Sequence, residues 1–521
     1  LTLTKTSREP KLCKYVVYDG ACQPCQFAVY SQTAVNIAVA VKTRVHDVKD
    51  PRRPGEFMPC PQPVKRSFEQ LTRFRNLLKK KFRAHAWVDR EDVHMLFPPG
   101  LKRETYRKAG ESLVVKELDW RDAMIRAFVK REKVYVASGY TAIYGTRSGL
   151  LAKHPRIIQP RTPRYNVLLA QWLKKNEKQY FKAIDSIFGE KTVLKGLNAR
   201  QQGQTIARKW SKFRNPVGIR LDASRFDQHV SVEALKYEHS CYTEMPAFKA
   251  LPVDKQEQIK TLLGLQLHNM GSAWARDGNV QYDVRGNRMS GDMNTGLGNV
   301  ILMCAMMWTY MQSIGLKSSL INNGDDCCLL CEKEDLEKFL KPLQSWFLVL
   351  GFEMTVEGVA RRLEEIKFCQ CHPIYIEGGY TMVRDPHVSL GKDLINLKQC
   401  ETAKQYRDWR SAISGCGLAL TGGIPILQAM YLSLGRDTSM DEKLDKCGMV
   451  YLARGMEKRV RDVDYLTRVS FWRAFDILPD IQLVMESMYQ ELDFTRFNVE
   501  DCGDGCYGAG VFGSTIWSLQ D

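Results

Sequence analysis

Asn322-Asn323-Gly324-Asp325-Asp326 sets two adjacent carboxylates between two β-like runs, residues 318–321 and 327–331. Asn-Gly between such runs is a strong hairpin signal, and a tight turn would lift Asp325 and Asp326 to a hairpin tip. Like charges that close require a positive neighbour, and a divalent cation is the usual one. Alone, the tripeptide also describes a polar surface turn. A second acidic pair, Asp222 and Asp227, begins where the apolar run 216–221 ends. Carboxylates delivered to strand ends by separate segments are what a two-metal phosphoryl-transfer site needs. One metal activates the attacking hydroxyl and the other stabilises the leaving oxygens.

Ser290-Gly291-Asp292-Met293-Asn294-Thr295-Gly296-Leu297-Gly298-Asn299 leads into an uncharged run. Thr295 and Asn299 stand four residues apart and so share one helical face. A hydroxyl and an amide aimed together can read a sugar hydroxyl. With Asp227 beside them they would separate ribose from deoxyribose. The bland alternative is N-capping by Asn294 and ordinary satisfaction of buried polar groups.

These residues need elements to hold them. Residues 216–221 read as a strand, 230–242 as a helix, and Asp277-Gly278 as the turn of a hairpin. Helical patterns also cover 114–129 and 166–188, and most of 399–492. Residues 51–63 are Pro-rich and read as a loop or linker. The basic stretch 65–83 keeps Phe68, Leu71, Phe74, Leu77 and Leu78 at helical spacing, which suits either a solvated helix face or an RNA contact. The uncharged run 298–316 carries Asn299, Thr309, Gln312 and Ser313, so it reads as a buried core helix and no transmembrane segment is expected. Residues 501–521 are Gly-rich and read as a flexible tail.

The 521 residues carry 76 Lys+Arg against 59 Asp+Glu, a net charge of +17 that points to a polyanion or an acidic membrane surface as partner. Hydrophobic residues at 44% and charged residues at 26% exclude a mostly disordered chain. Sixteen cysteines in so long a chain are too sparse for a secreted disulfide scaffold, so reduced thiols are expected. Zinc is a secondary reading. Cys22 and Cys25 have the right spacing, with Cys13, His46 and Cys60 near in sequence, and Cys328/Cys331 and Cys502/Cys506 form two further pairs. A structural site needs two paired sets, and the N-terminal region supplies one.

The order DxxxxD, SGxxxTxxxN, GDD resembles motifs A, B and C of viral RNA-dependent RNA polymerases. The strings LDASRFDQHVSVEALKYEH, RMSGDMNTGLGN and NNGDD are similar to those of the tombusvirus family, including carmovirus-like and umbravirus-like members. RIIQPRTPRYNV (156–167) resembles the fingers motif F, and Ile366-Lys367-Phe368-Cys369-Gln370 resembles motif E, the primer grip. The resemblance extends from about residue 15 to residue 477, including FWRAFDI.

It implies an α+β right-hand polymerase with fingers, palm and thumb and an antiparallel palm sheet. The boundaries expected are an N-terminal extension and fingertip region 1–64, fingers 65–215, palm motif A 216–245, a fingers insertion 246–285, palm motifs B to E 286–375, thumb 376–500 and tail 501–521. Asp222, Asp325 and Asp326 would be catalytic and bind two Mg²⁺, with Mn²⁺ able to substitute. Asp227, Ser290, Gly291, Thr295 and Asn299 would hold the nucleotide ribose. Lys153, Arg156, Arg161 and Arg164 would face the triphosphate or the template entrance. Phe368, Cys369 and Gln370 would form the primer grip.

The implied reaction is RNA-templated RNA synthesis from nucleoside triphosphates, begun without a primer, with template and product RNA as partners. The implied setting is membrane-associated replication complexes in the host-cell cytoplasm. The membrane anchor would lie upstream or in a separate replication protein, and Leu1 would reflect readthrough, frameshifting or trimming. Motif D departs from the family pattern. Thr355 stands where a proton-donating Lys was expected, and Arg361 and Arg362 are poor acids, so the general acid is unassigned. A reverse transcriptase and a non-catalytic RNA-binding replication protein are the rival readings.

Overall fold

The computed structural model describes residues 1–11, 16–17, 27–50, 52–53, 55–135, 154–396, 400–438 and 449–495. Lys153, Cys13, Cys22, Cys25, Cys502, Cys506 and the expected tail lie outside the described residues.

Cys327–Glu332 buries its first five residues in succession, the pattern of a strand covered on both faces. It runs between Ser318–Asn322 and Pro216–Ala223, and Met354–Ala360 closes the far edge. All three pairings are antiparallel. Cys327 pairs with Asn322 on one side and Leu221 on the other. One further step along those strands brings Asp222 beside the turn that holds Asp325 and Asp326. A register slip of one residue would send these side chains to the opposite face.

The two faces of the sheet pack on different partners. Cys327, Leu329 and Cys331 join the large core built around the Thr295–Ile314 helix. Cys328 and Leu330 join Leu194, Ile206, Ile366 and Phe368 on the other side. Cys328 and Cys331 therefore point to opposite faces and form no zinc pair, because three steps along a strand reverse the side-chain direction.

The uncharged run is a core helix, as its polar content indicated. Val300 to Met307 are all buried within Thr295–Ile314, and Met303, Met306, Met307 and Met311 fill the gap beneath the sheet. Gly315 ends the helix at φ +58°, where the Leu316 N–H reaches back to the Met311 carbonyl. Among the described residues no helix is long and apolar enough to cross a membrane.

One helical expectation fails. The α-helix Leu101–Val115 stops at the start of this stretch, and 116–129 holds only a short 3₁₀ turn, Trp120–Ala123. Asp119 and Asp122 close a capping box around one tight turn, and Ile125, Ala127 and Val129 then alternate buried with exposed Arg126 and Phe128. That two-residue period serves short strands, Ile125–Arg126 and Phe128–Val129. The other expected elements form with shifted ends: Pro163–Ala170 and Leu173–Phe188 are two helices, Val232–Thr243 is capped by Ser231, and the hairpin pairs His268–Ala275 with Gly278–Arg285. Within the Pro-rich region, Phe57–Pro59 pairs with Asp47–Lys49 instead of running free.

The basic stretch is partly consumed by the fold. Phe68, Leu71, Phe74 and Leu78 are buried, while Arg75 and Lys79 both bond Glu244, at 3.1 and 2.5 Å. Beyond a hairpin of Cys371–Ile376 with Gly379–Arg384, the chain is mainly helical through Ala403–Thr421, Leu427–Leu434, Tyr465–Phe475 and Pro479–Glu491, with a core of its own.

Candidate active site

Asn322 builds the acidic turn. Its side chain is fully buried, accepts from the Gly324 N–H at 3.0 Å and donates to the Gly324 carbonyl at 2.7 Å. Gly324 sits at φ +101°, a conformation that carries no strain only without a Cβ. Asn323 N–H bonds the Asp326 carbonyl and closes the loop at 3.0 Å. Asp325 and Asp326 are left exposed at its tip, and Asp222 is exposed at the end of its strand.

The three carboxylates share one electrostatic environment. Partial desolvation raises the Asp326 carboxyl above its ordinary range, and the charges of Asp325 and Asp222 add to the rise. Hard carboxylate oxygens that repel one another suit a divalent cation. Among the described residues, however, no three His, Cys, Asp or Glu side chains are already gathered as a metal cage.

Asp227 stands next to this group and is read by Asn299. The Asn299 Nδ2 donates to Asp227 Oδ1 at 2.9 Å. Burial pushes the Asp227 carboxyl up to about 6; the Asn299 bond opposes the rise and the Asp325 charge adds to it. Thr295 shares the helical face but donates its hydroxyl to the Met289 carbonyl at 2.7 Å. Asn294 does not cap the helix with its side chain, which donates to Glu238 at 2.9 Å instead. Ser290 and Gly291 lie against the 157–160 segment: Ser290 Oγ accepts from Gln159 N–H at 3.1 Å, and a Cβ on Gly291 would fall 2.4 Å from Pro160 Cα.

The described motif F cations divide into two kinds. Arg156 is half-exposed, bonds Glu132 through two nitrogens at 2.7 Å each, and its charge reaches Asp227. Arg161 is turned into the protein interior. Its buried guanidinium pairs with Asp292 at 2.8 Å and also bonds Ala123 and Asn269. Arg164 is likewise turned into protein, bonding Asp122 at 3.1 Å, Ser112 at 2.8 Å and two main-chain carbonyls. Both were expected at the triphosphate or template entrance; their guanidinium groups are engaged instead with Asp292 and Asp122.

The motif E residues form a two-residue turn. Phe368 and Cys371 exchange both main-chain hydrogen bonds, and Cys369 and Gln370 take φ +50° and +64°. Phe368 is buried in the core, whereas Gln370 is exposed. The Cys369 thiol accepts from Asn323 Nδ2 at 3.1 Å, so this turn touches the acidic turn directly. Thr355, at the motif D position, donates to the Asp222 carbonyl at 3.0 Å.

Sequence reasoning missed three things. Arg225, at φ +49°, reaches back to the Thr43 and Asp47 carbonyls at 2.6 and 3.2 Å and fastens the N-terminal region beside Asp227. The Lys195 ammonium lies against Gly296 at the start of the Thr295–Ile314 helix. Glu238 and Arg288 form a buried pair behind Asn299. The last was detectable, because Glu238 sits among Ala234, Leu235, Cys241 and Tyr242 on an apolar helix face, where a charge demands a partner.

Residues 1–497 match the family model described as viral RNA-dependent RNA polymerase. The chain is 40% identical over 494 residues to the RNA-directed RNA polymerase of Tobacco necrosis virus (strain A), covering 94% of this chain and 65% of that protein. It is 36% identical over 503 residues to that of Red clover necrotic mosaic virus, covering 94% and 63%. Against that of Tomato bushy stunt virus (strain Cherry) it is 38% identical over 485 residues, covering 92% and 56%. The chain thus spans less than two thirds of the length of these curated relatives. With the family model matched over nearly its whole length, the chain belongs to the viral RNA-dependent RNA polymerase family.

Proposed function

We propose that this chain carries the catalytic portion of an RNA-directed RNA polymerase that replicates a plus-strand RNA plant virus genome. The observation that carries the proposal is the meeting of Asp222 with Asp325 and Asp326 beside the bonded pair Asp227–Asn299. That arrangement supports an acidic reaction centre with a sugar reader beside it. The four-stranded sheet with its helices is the palm, the N-terminal half and the 246–285 insertion form the fingers and fingertip, and residues 376–500 form the thumb.

Asp222, Asp325 and Asp326 would hold the divalent metal that the family uses, two Mg²⁺ in this reading. When bound, such ions supply activation of the RNA 3′-hydroxyl and charge neutralisation at the phosphates. The chain's own residues do the rest. Asp227 accepts from the ribose hydroxyl, and Asn299 holds that carboxylate in place. Arg156 offsets the acidic charge on the side where a triphosphate would enter. The exposed Gln370 and the Cys369 turn steady the strand whose 3′-hydroxyl attacks the α-phosphate, with pyrophosphate leaving. A net charge of +17 suits a channel that grips phosphate without reading sequence. Primer-independent initiation, and membrane recruitment through an upstream segment or a separate replication protein, belong to the same reading.

Template-dependent incorporation with ribo- and deoxyribonucleotides on RNA tests it. Ribonucleotide incorporation on RNA is expected. Preference for deoxyribonucleotides would indicate a reverse transcriptase, and RNA binding without synthesis would leave a non-catalytic binding protein.

A further inference from the structure

We infer that the buried Arg288–Glu238 pair is a positioning device for sugar selection, because it fixes which end of the Asn299 amide faces Asp227. The inference rests on the sugar-reading role proposed above for Asp227 and Asn299. Arg288 Nε donates to Asn299 Oδ1 at 3.1 Å, and Asn299 Nδ2 donates to Asp227 Oδ1 at 2.9 Å. A guanidinium can only donate and a carboxylate can only accept. The chemistry of the two neighbours therefore admits a single orientation of the amide. Its carbonyl is consumed by Arg288, and its N–H groups face the nucleotide side.

Arg288 is held in turn. Its side chain is 1% exposed and pairs with Glu238, which is wholly buried. Glu238 is fixed by Tyr242 at 2.7 Å and Asn294 at 2.9 Å, and the Arg288 N–H bonds the Asp227 carbonyl at 2.8 Å. Arg288 is thus held at Nε, at Nη2 and at its main-chain N–H. Gly298 completes the arrangement. A Cβ there would fall 2.3 Å from Glu238 Oε1 and 2.5 Å from Arg288 Nη2, so the pair occupies the space a side chain would need. One turn of helix thereby carries both the reader, Asn299, and the gap that admits its brace.

The consequence is specific. With Asn299 limited to donating, Asp227 keeps its second oxygen for the ribose hydroxyl proton. A loosened amide could turn its carbonyl toward Asp227, repel it and blur the preference for ribose. A site built to bond a hydroxyl discriminates through groups left unpaired by the analogue, and that requires the groups to stay where they are.

The test compares kcat/KM for ribo- and 2′-deoxyribonucleotides in the purified full chain carrying Arg288→Lys. The ratio is independent of the fraction of active enzyme, so a merely structural loss would leave it unchanged. Lysine retains the charge opposite Glu238 but cannot serve Glu238 and Asn299 together through a planar fork. The expected result is a fall in the ratio of about tenfold or more. Should that variant not fold, Gly298→Ala decides by the same ratio, since its methyl group displaces the pair. Asn299→Ala is measured alongside. An unchanged ratio in Asn299→Ala would refute the sugar-reading role itself. A shifted ratio there, with wild-type ratios in Arg288→Lys and Gly298→Ala, would overturn the positioning inference alone.

Discussion

Asn323 donates its side-chain amide to the Cys369 thiol at 3.1 Å, joining the turn that carries Asp325 and Asp326 to the turn that begins the Cys371–Ile376 hairpin. The two turns come from different parts of the chain, and each is tight enough to leave little slack. The contact makes the position of Asp326 depend on the turn formed by Phe368 to Cys371.

Cys369→Ala is therefore expected to lower nucleotide incorporation about fivefold while leaving RNA affinity within about twofold, since loss of one neutral hydrogen bond is worth roughly 1 kcal/mol and phosphate gripping is distributed over many cations. Primer extension and filter binding on the same preparation check both halves. Equal losses in the two assays would assign Cys369 to RNA binding instead.

Gln370 holds φ +64° without being glycine. Gln370→Gly is expected to stabilise the folded chain by up to about 1 kcal/mol and to reduce primer extension. Urea unfolding together with an extension assay separates the effects. A destabilised variant would show that the Gln370 side chain contributes more to the fold than its backbone costs.

The two kinds of motif F arginine should part company under mutation. Arg161→Met strands the Asp292 carboxylate in the interior and should cost about 3–5 kcal/mol of stability. Arg156→Met removes a half-exposed pair, worth less than about 1 kcal/mol, yet should raise KM for nucleoside triphosphates. Denaturant titration and steady-state kinetics on both proteins settle the division. A severe unfolding defect in Arg156→Met would contradict it.

Burial holds the His239 imidazole down to about 4, and its Nε2 lies 3.1 Å from Gln266 Oε1. An unfolded histidine binds its proton near pH 6.5, so between pH 6.5 and 4 the unfolded chain takes up a proton that the folded chain refuses. Stability is complete above that window and falls as pH drops through it, by an amount on the order of 3 kcal/mol from this group. His154, also held down to about 4, adds to the same trend. His239→Gln should flatten the acid limb of thermal stability between pH 7 and pH 5. An unaltered slope would mean that His239 is not buried as a neutral group.

Much of the site was legible because its chemistry is compressed into short strings. The Asn322–Asp326 turn, the strand that carries Asp222 and the helix that carries Thr295 and Asn299 each follow from local pattern, and the turn, strand and helix form. What could not be read depends on contacts between distant segments. Arg161 and Arg164 look like free cations until Asp292 and Asp122 are brought beside them. The stretch 116–129 carries enough apolar residues to resemble a helix, but its two-residue burial emerges only when Ile125–Arg126 pairs with the 268–275 strand. Thr295 was assigned to the sugar on helical spacing, which says nothing about the Met289 carbonyl that takes its hydroxyl.

The proposed division of labour gives chemistry to Asp222, Asp325 and Asp326 and RNA binding to the basic surface. Asp325→Ala measures it most directly, with template-dependent ribonucleotide incorporation and RNA affinity determined on one preparation. Synthesis is expected to fall to background with RNA affinity within about twofold of the parent protein, because an exposed carboxylate contributes nothing to gripping phosphate. Incorporation close to the parent rate in Asp325→Ala would contradict it.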